Sequence, residues 1–242
     1  MQTGLHLPQR RQSLISRFRA PSALASSNKA SCSTSCSEGV IKFQLDWQAG
    51  PVVACAVRAT LGHWRDVLHA HGLIGADPAR YGGIGFGNVS CRCRGGFLIT
   101  ATQTGHLRTL APEHFCQVTH WDIVHNRICA EGPQPPSSEA LSHAACYDAH
   151  PDICWVFHIH HPQLWRQAAV LGLAATPPDA EYGTPAMALA VSDLAGKAHL
   201  PLLIQMAGHE DGLIAAGHSD METGTLLLNK VAEAQASSAL RR

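Results

Sequence analysis

The run Ile153-Cys154-Trp155-Val156-Phe157-His158-Ile159-His160 constrains the fold more than any other part of this chain. Its nearly continuous apolar content reads as a strand buried in a core, and it ends on two histidines two positions apart. Side chains at that spacing on a strand project to one face, whereas on a helix they would lie roughly 200° apart. Two imidazoles can therefore meet one ion. The donor type suits Zn²⁺, with another divalent metal as the alternative, and a catalytic site would need at least one more ligand and an open position. The chain has 16 histidines, so this spacing alone also arises by chance. His161 points to the opposite face and reads as structural, as does His143.

The 242 residues fit one domain with an appendage at about 150 residues per domain. Residues 1–37 hold five Lys and Arg and no acid, and include the serine-rich stretch SALASSNKASCSTSCS. They read as a disordered or targeting extension, so the folded domain is placed at 38–242. Lys and Arg balance Asp and Glu at 18 each. The molecule lacks the positive field that phosphate-backbone binding relies on, which argues against nucleic acid as a partner. No apolar run approaches the roughly 18 residues of a membrane span. Nine cysteines, an odd number without paired spacing, read as reduced thiols and a cytoplasmic location, or an organellar one if the extension is a transit peptide. Cys32 and Cys36 form a weak metal candidate inside the serine-rich stretch.

Val57, Leu61, Trp64 and Leu68 recur at helical spacing after Gly50-Pro51, which predicts a helix with the proline in its first turn. A glycine cluster at 82–87 precedes Asn88-Val89-Ser90, and residues 97–100 read as a strand. Ser137-Ser138 opens a helix carrying Leu141, Ala144 and Ala145. Further elements are predicted as a helix at 185–197, strands at 201–205 and 213–216, and a final helix at 221–234. Strands and helices mix without a regular βαβ period, which favours layered α/β or α+β over a doubly wound sheet.

Three groups of residues can carry chemistry besides the histidine pair. Gly85 and Gly87 lack the spacing of a dinucleotide fingerprint but permit close backbone approach to an anion, with Asn88 and Ser90 as donors. Ser137, Ser138 and Glu139 sit where a helix begins, offering free N–H groups, two hydroxyls and a carboxylate. The loop Gly208-His209-Glu210-Asp211-Gly212 offers a third metal ligand. Each also has a structural reading: a glycine turn, an ordinary helix cap, and a solvated polar loop.

In order along the chain, Gly87-Asn88-Val89-Ser90, Phe97-Leu98-Ile99-Thr100, Thr104-Gly105, Pro136-Ser137-Ser138-Glu139, Val156 to Pro162, Tyr182-Gly183-Thr184-Pro185 and the 209–212 loop resemble the class II aldolase/adducin family. The resemblance covers about 40–238. It implies a three-layer αβα domain with a central, largely antiparallel sheet, commonly a homotetramer. By resemblance to the family's sugar-phosphate aldolases, Gly87, Asn88, Thr104, Gly105, Ser137 and Ser138 match phosphate-binding positions, Glu139 the acid/base, and His158 and His160 two zinc ligands. The family places a histidine directly before the glycine of the last motif. Here Asp211 holds that position and His209 lies two residues earlier. His209 is the favoured third ligand because three imidazoles leave the ion its full charge, and Asp211 becomes an acceptor that orients a ligand. The stretch 100–105 is two residues longer than in those aldolases, and their catalytic tyrosine motifs have no counterpart.

The expected function is a metal-dependent lyase cleaving a carbon–carbon bond of a small hydroxy-carbonyl or sugar-phosphate substrate through a zinc-stabilised enediolate, with Glu139 moving the proton. A dehydratase or epimerase uses the same machinery. A non-enzymatic, adducin-like binding module and a zinc hydrolase are the rivals; the hydrolase reading expects an acid where Pro162 stands.

Overall fold

The computed structural model describes residues 39–239, with side chains to residue 237. The expectations for residues 1–37, including Cys32 and Cys36, lie outside the described residues. In chain order the strands are β1 (Gln44–Ala49), β2 (Gly75–Ala76), β3 (Gly85–Phe86), β4 (Asn88–Cys93), β5 (Gly96–Thr100), β6 (Phe115–Asp122), β7 (Arg127–Gly132), β8 (Trp155–His160), β9 (Ala174–Ala175), β10 (Leu202–Gln205) and β11 (Gly212–Gly217). The short strands β2 and β3 pair with each other. The other nine form one sheet in the spatial order β1-β7-β6-β5-β4-β8-β11-β10-β9.

Pairing is antiparallel except at the two edges, where β1 runs parallel to β7 and β9 parallel to β10. The expectation of a largely antiparallel sheet therefore applies to the interior and not to the edges.

Alternation along the strands explains the layers. Phe97, Ile99, Val156, Ile204, Ile214 and Ala216 face one core, against Leu141, Ala144 and Ala145 of α2 (Ala140–Ala149) and Met187, Ala188 and Val191 of α4 (Pro185–Lys197). The intervening residues Leu98, Trp155, Phe157, Ile159, Leu213 and Ala215 face the other. That second core is completed by Leu61, Trp64 and Leu68 of α1 (Arg58–Ala70), Leu164 of α3 (Pro162–Gln167) and Leu227 and Val231 of α5 (Asp220–Ala239). A strand apolar on both faces must be covered on both faces, which is why the central strands read as continuous apolar runs.

Helix α1 starts seven residues later than the proline suggests. Gly50 N–H still donates to Gly132 O at 3.1 Å, so the chain is extended there and Pro51 ends a strand instead of opening a helix. The sequence pattern also names no strand between 101 and 136, where β6 and β7 lie. A β-bulge between Val118 and His120 breaks the alternation that would have marked β6. Among the described residues, no helix is long and apolar enough to cross a membrane.

Candidate metal centre

Strand β8 ends on His158 and His160, both 1% exposed, and the neighbouring register pairs are His158 with Asn88 and Ile214, and His160 with Gly212. The third histidine comes from the tight connection between β10 and β11. His209 N–H donates to Met206 O at 3.0 Å, Gly212 N–H to His209 O at 3.0 Å, and Met206 N–H to Gly212 O at 3.0 Å. This closure folds the His209 ring back over β8. A side chain at Gly212 would collide with that ring, so the glycine is required by packing.

Ligand nitrogens of His158, His160 and His209 all lie within 4.8 Å of one another. The Nε2 atoms of His158 and His160 are 3.1 Å apart, close to the roughly 3.3 Å expected for two nitrogens about 2.05 Å from one tetrahedral ion. His158 Nδ1 donates to Leu213 O at 3.0 Å, which leaves Nε2 with the lone pair. Burial pulls His158 down to about 4, with the Leu213 carbonyl opposing it. Burial, followed by the charges of neighbouring imidazoles, also holds His160 and His209 well below the ordinary histidine value. All three are therefore neutral at pH 7, the form a metal ligand needs. Buried, neutral and convergent, this donor set fits a divalent cation.

Glu139 is 1% exposed, at the residue preceding α2. One carboxylate oxygen accepts from Ser142 Oγ at 2.7 Å and the other, Oε1, is buried with no hydrogen-bond partner. Burial pushes its pKa up to about 7, opposed by the Ser142 hydroxyl and by the charge of Lys42. The same lysine lowers His209, so Glu139 and His209 both feel the charge of one ammonium.

Asp211 has a left-handed backbone at φ 62°. Its carboxylate accepts from Tyr81 OH at 2.6 Å and Arg80 Nη2 at 3.3 Å, and the Tyr81 ring packs on His160 with centroids 4.9 Å apart. Tyr81 thus connects Asp211 to the His160 ring. His161 caps α3, its Nδ1 accepting from Leu164 N–H at 3.0 Å. His143 Nδ1 lies 2.6 Å from Ser90 Oγ, which also bonds Tyr147 OH at 2.7 Å. His161 thus serves as a helix cap, while His143 is held by Ser90 at one nitrogen and has Nε2 buried without a partner.

Gly87, Asn88, Thr104, Gly105, Ser137 and Ser138 line a single cavity at the same end of the sheet. Its volume is about 20 Å³, room for one water. Gly105 closes it from one side: a Cβ there would lie 2.5 Å from Gly75 O and 2.8 Å from Gly85 Cα. Thr104 Oγ1 already donates to Ala101 O at 2.9 Å. Buried Arg65 holds the loop from below, donating to the carbonyls of Thr104, Gly105 and Arg108 at 3.0, 3.1 and 3.0 Å.

Residues 79–234 match the family described as Class II Aldolase and Adducin N-terminal domain. The chain belongs to that family. Solved structures agree on the fold. L-fuculose-1-phosphate aldolase from Thermus thermophilus is 21% identical, over 76% of this chain and 94% of that one, with a TM-score of 0.60. YgbL from Klebsiella pneumoniae, a putative aldolase/epimerase/decarboxylase, is 20% identical over 76% and 87%, with a TM-score of 0.52. A sugar-phosphate aldolase from Thermotoga maritima is 15% identical over 76% and 95%, at 0.51. No curated protein sequence matches. Within this class II aldolase/adducin domain, sequence reasoning missed Lys42, Arg65, Arg80 and Tyr81. All four lie outside the recognisable motifs, and Lys42 and Arg65 also precede the matched segment.

Proposed function

We propose that this family member is a metal-dependent lyase that breaks a carbon–carbon bond in a small hydroxy-carbonyl compound. The observation that carries the reading is the pairing of three buried, neutral, convergent histidines with a buried carboxylate whose Oε1 has no partner. A binding module has no use for both a desolvated carboxylate and three buried convergent imidazoles, since burying such groups costs free energy. His158, His160 and His209 would hold the ion, Zn²⁺ by donor type, and when bound it supplies Lewis acidity toward carbonyl and hydroxyl oxygens.

The chain's own groups do the rest. Glu139 Oε1 accepts the proton of the cleaved hydroxyl, or returns one to the carbon left behind. Its raised pKa near 7 suits both directions at neutral pH. Ser142 fixes the other carboxylate oxygen and so aims Oε1. Leu213 O fixes the His158 tautomer, and Tyr81 with Asp211 braces His160. The same placement of groups serves dehydration or epimerisation, and the name of the Klebsiella neighbour likewise spans aldolase, epimerase and decarboxylase.

The test is a panel of hydroxy-aldehydes and hydroxy-ketones given to zinc-loaded protein, scored for aldehyde or ketone release. Release that depends on metal and is lost in Glu139→Gln is expected. Release of acid or alcohol by hydrolysis instead would overturn the reading.

A further inference from the structure

Lys42 lies ahead of the segment that matches the family, yet it packs on Tyr182, the neighbour of His209. Its carbonyl accepts from Asn126 Nδ2 at 3.1 Å, and Gln44 N–H donates to Asn126 O at 2.7 Å. Phe43, the next residue, is buried in the core beneath α2 and α4. The Lys42 stem runs over Gly183, and its ammonium sits 3.8 Å from the centroid of the Tyr182 ring. Tyr182 in turn packs on His209, with centroids 4.7 Å apart. A single ring therefore touches both the cation and a metal ligand.

The ammonium has an ion pair at 3.8 Å with Glu181, whose side chain is 76% exposed, a partner that water and salt largely screen. Its side chain is 25% exposed, so it remains open to a solute. The glycine and serine cavity, by contrast, has room for one water. A phosphate dianion is ordinarily met by a cradle of several N–H donors, and here Gly105 lies against Gly75 and Gly85 while Thr104 Oγ1 is already bonded to Ala101 O. A lone lysine offers one unit of positive charge on a flexible stem, which matches a monoanion.

Building on the metal-dependent reading above, we propose that Lys42 is the anion-binding residue of this site and takes the carboxylate of a short hydroxy-oxo acid, so that the substrate is a carboxylate and not a sugar phosphate. The Tyr182 ring links the two ends of the site, 3.8 Å from the ammonium and 4.7 Å by centroid from the His209 ring. The substrate's hydroxy-carbonyl end faces the metal ligands and Glu139, and its carboxylate faces Lys42.

Calorimetric binding to the full-length, zinc-loaded protein tests this with three probes. They are 5-hydroxylevulinate, a hydroxy-ketone with a remote carboxylate; 1-hydroxybutan-2-one, its neutral counterpart; and dihydroxyacetone phosphate. Wild-type protein is expected to bind 5-hydroxylevulinate about tenfold or more tighter than the other two, the gain typical of a charged hydrogen bond. Lys42→Met should reduce it to the affinity of 1-hydroxybutan-2-one, which itself stays unchanged along with the zinc content. Lys42→Arg should keep the preference.

Tightest binding of dihydroxyacetone phosphate by wild type would overturn the proposal. So would equal weakening of the neutral ketone by Lys42→Met, the mark of a structural role. Metal-dependent binding of all three probes without carboxylate preference overturns the role of Lys42 alone. Absence of any metal-dependent binding overturns the hydroxy-carbonyl reading and this inference with it.

Discussion

The histidine cluster and the glycine and serine cavity stand at the same end of the sheet and are both made of family motifs, yet one is assembled around a shared point and the other is a narrow cavity of about 20 Å³. His209 reaches the first from a connection closed by three backbone hydrogen bonds, and the two extra residues between the expected position and His209 are absorbed by the left-handed turn at Asp211. In the second, the loop of residues 101–105 folds inward, so that Gly105 meets Gly75 and Gly85 and Arg65 ties its carbonyls. Motif order follows how the chain brings each set of residues together. The local backbone decided how tightly each of them closed.

The largest expected effect breaks the assembled side of this comparison. His209→Ala should lose stoichiometric zinc, read by metal analysis after dialysis, because two ligands from β8 do not make a closed site. Zinc retained by His209→Ala but lost in Asp211→Ala would move the third ligand to Asp211. Next comes Glu139→Gln, expected to keep zinc while turnover falls about 10²- to 10⁴-fold.

The same variant has a stability signature. Glu139 has a pKa near 7 in the folded protein against about 4.3 in an unfolded chain, so the folded state holds the proton more tightly. The stability this confers is fully present below about pH 4.3 and is lost as pH rises through 7. Glu139→Gln, which never ionises, should therefore gain melting temperature over wild type at pH 8 relative to pH 5. An equal difference at both pH values would show that the carboxylate does not titrate there.

A smaller effect is expected from Asp211→Ala. Freeing Tyr81 and, through it, His160 should weaken zinc about 10- to 100-fold without abolishing binding. The smallest belongs to the closed side. Ser138→Ala should change KM by no more than about threefold, because a hydroxyl that meets no ligand loses no charged hydrogen bond. A tenfold rise in KM would show that the cavity opens and binds an anion.

How much of this was legible in the sequence follows from how local each signal is. His158 and His160 were readable because a two-residue period on an apolar strand fixes their common side regardless of the rest of the fold. Helix α4 was readable to the residue, since Thr184 caps it through Met187 N–H at 3.3 Å and Pro185 occupies its first turn. Strand β6 was not, because its bulge shifts the period midway, and β7 offers only Ile128 and Ala130 as fully inward apolar residues. Lys42 and Arg65 were invisible for a different reason. Their roles come from where the chain returns after more than a hundred residues, or after the 39 separating Arg65 from Thr104, and a lone basic residue carries no mark of that. The family match places residues 79–234 on a known scaffold but says nothing of the segment before it, where Lys42, just ahead of β1, meets Tyr182.

Arg65 has one more consequence, which concerns time and not binding. Loops without regular structure usually exchange their amide hydrogens rapidly, because opening them breaks little. The loop over Arg65 is held by a buried guanidinium, and lifting it would break three hydrogen bonds to that charge and leave it only the half-exposed carboxylate of Asp66 at 3.6 Å. Its amides should therefore exchange on the timescale of the central strands, so that the molecule's slow-exchanging region extends beyond the sheet into a segment with no secondary structure.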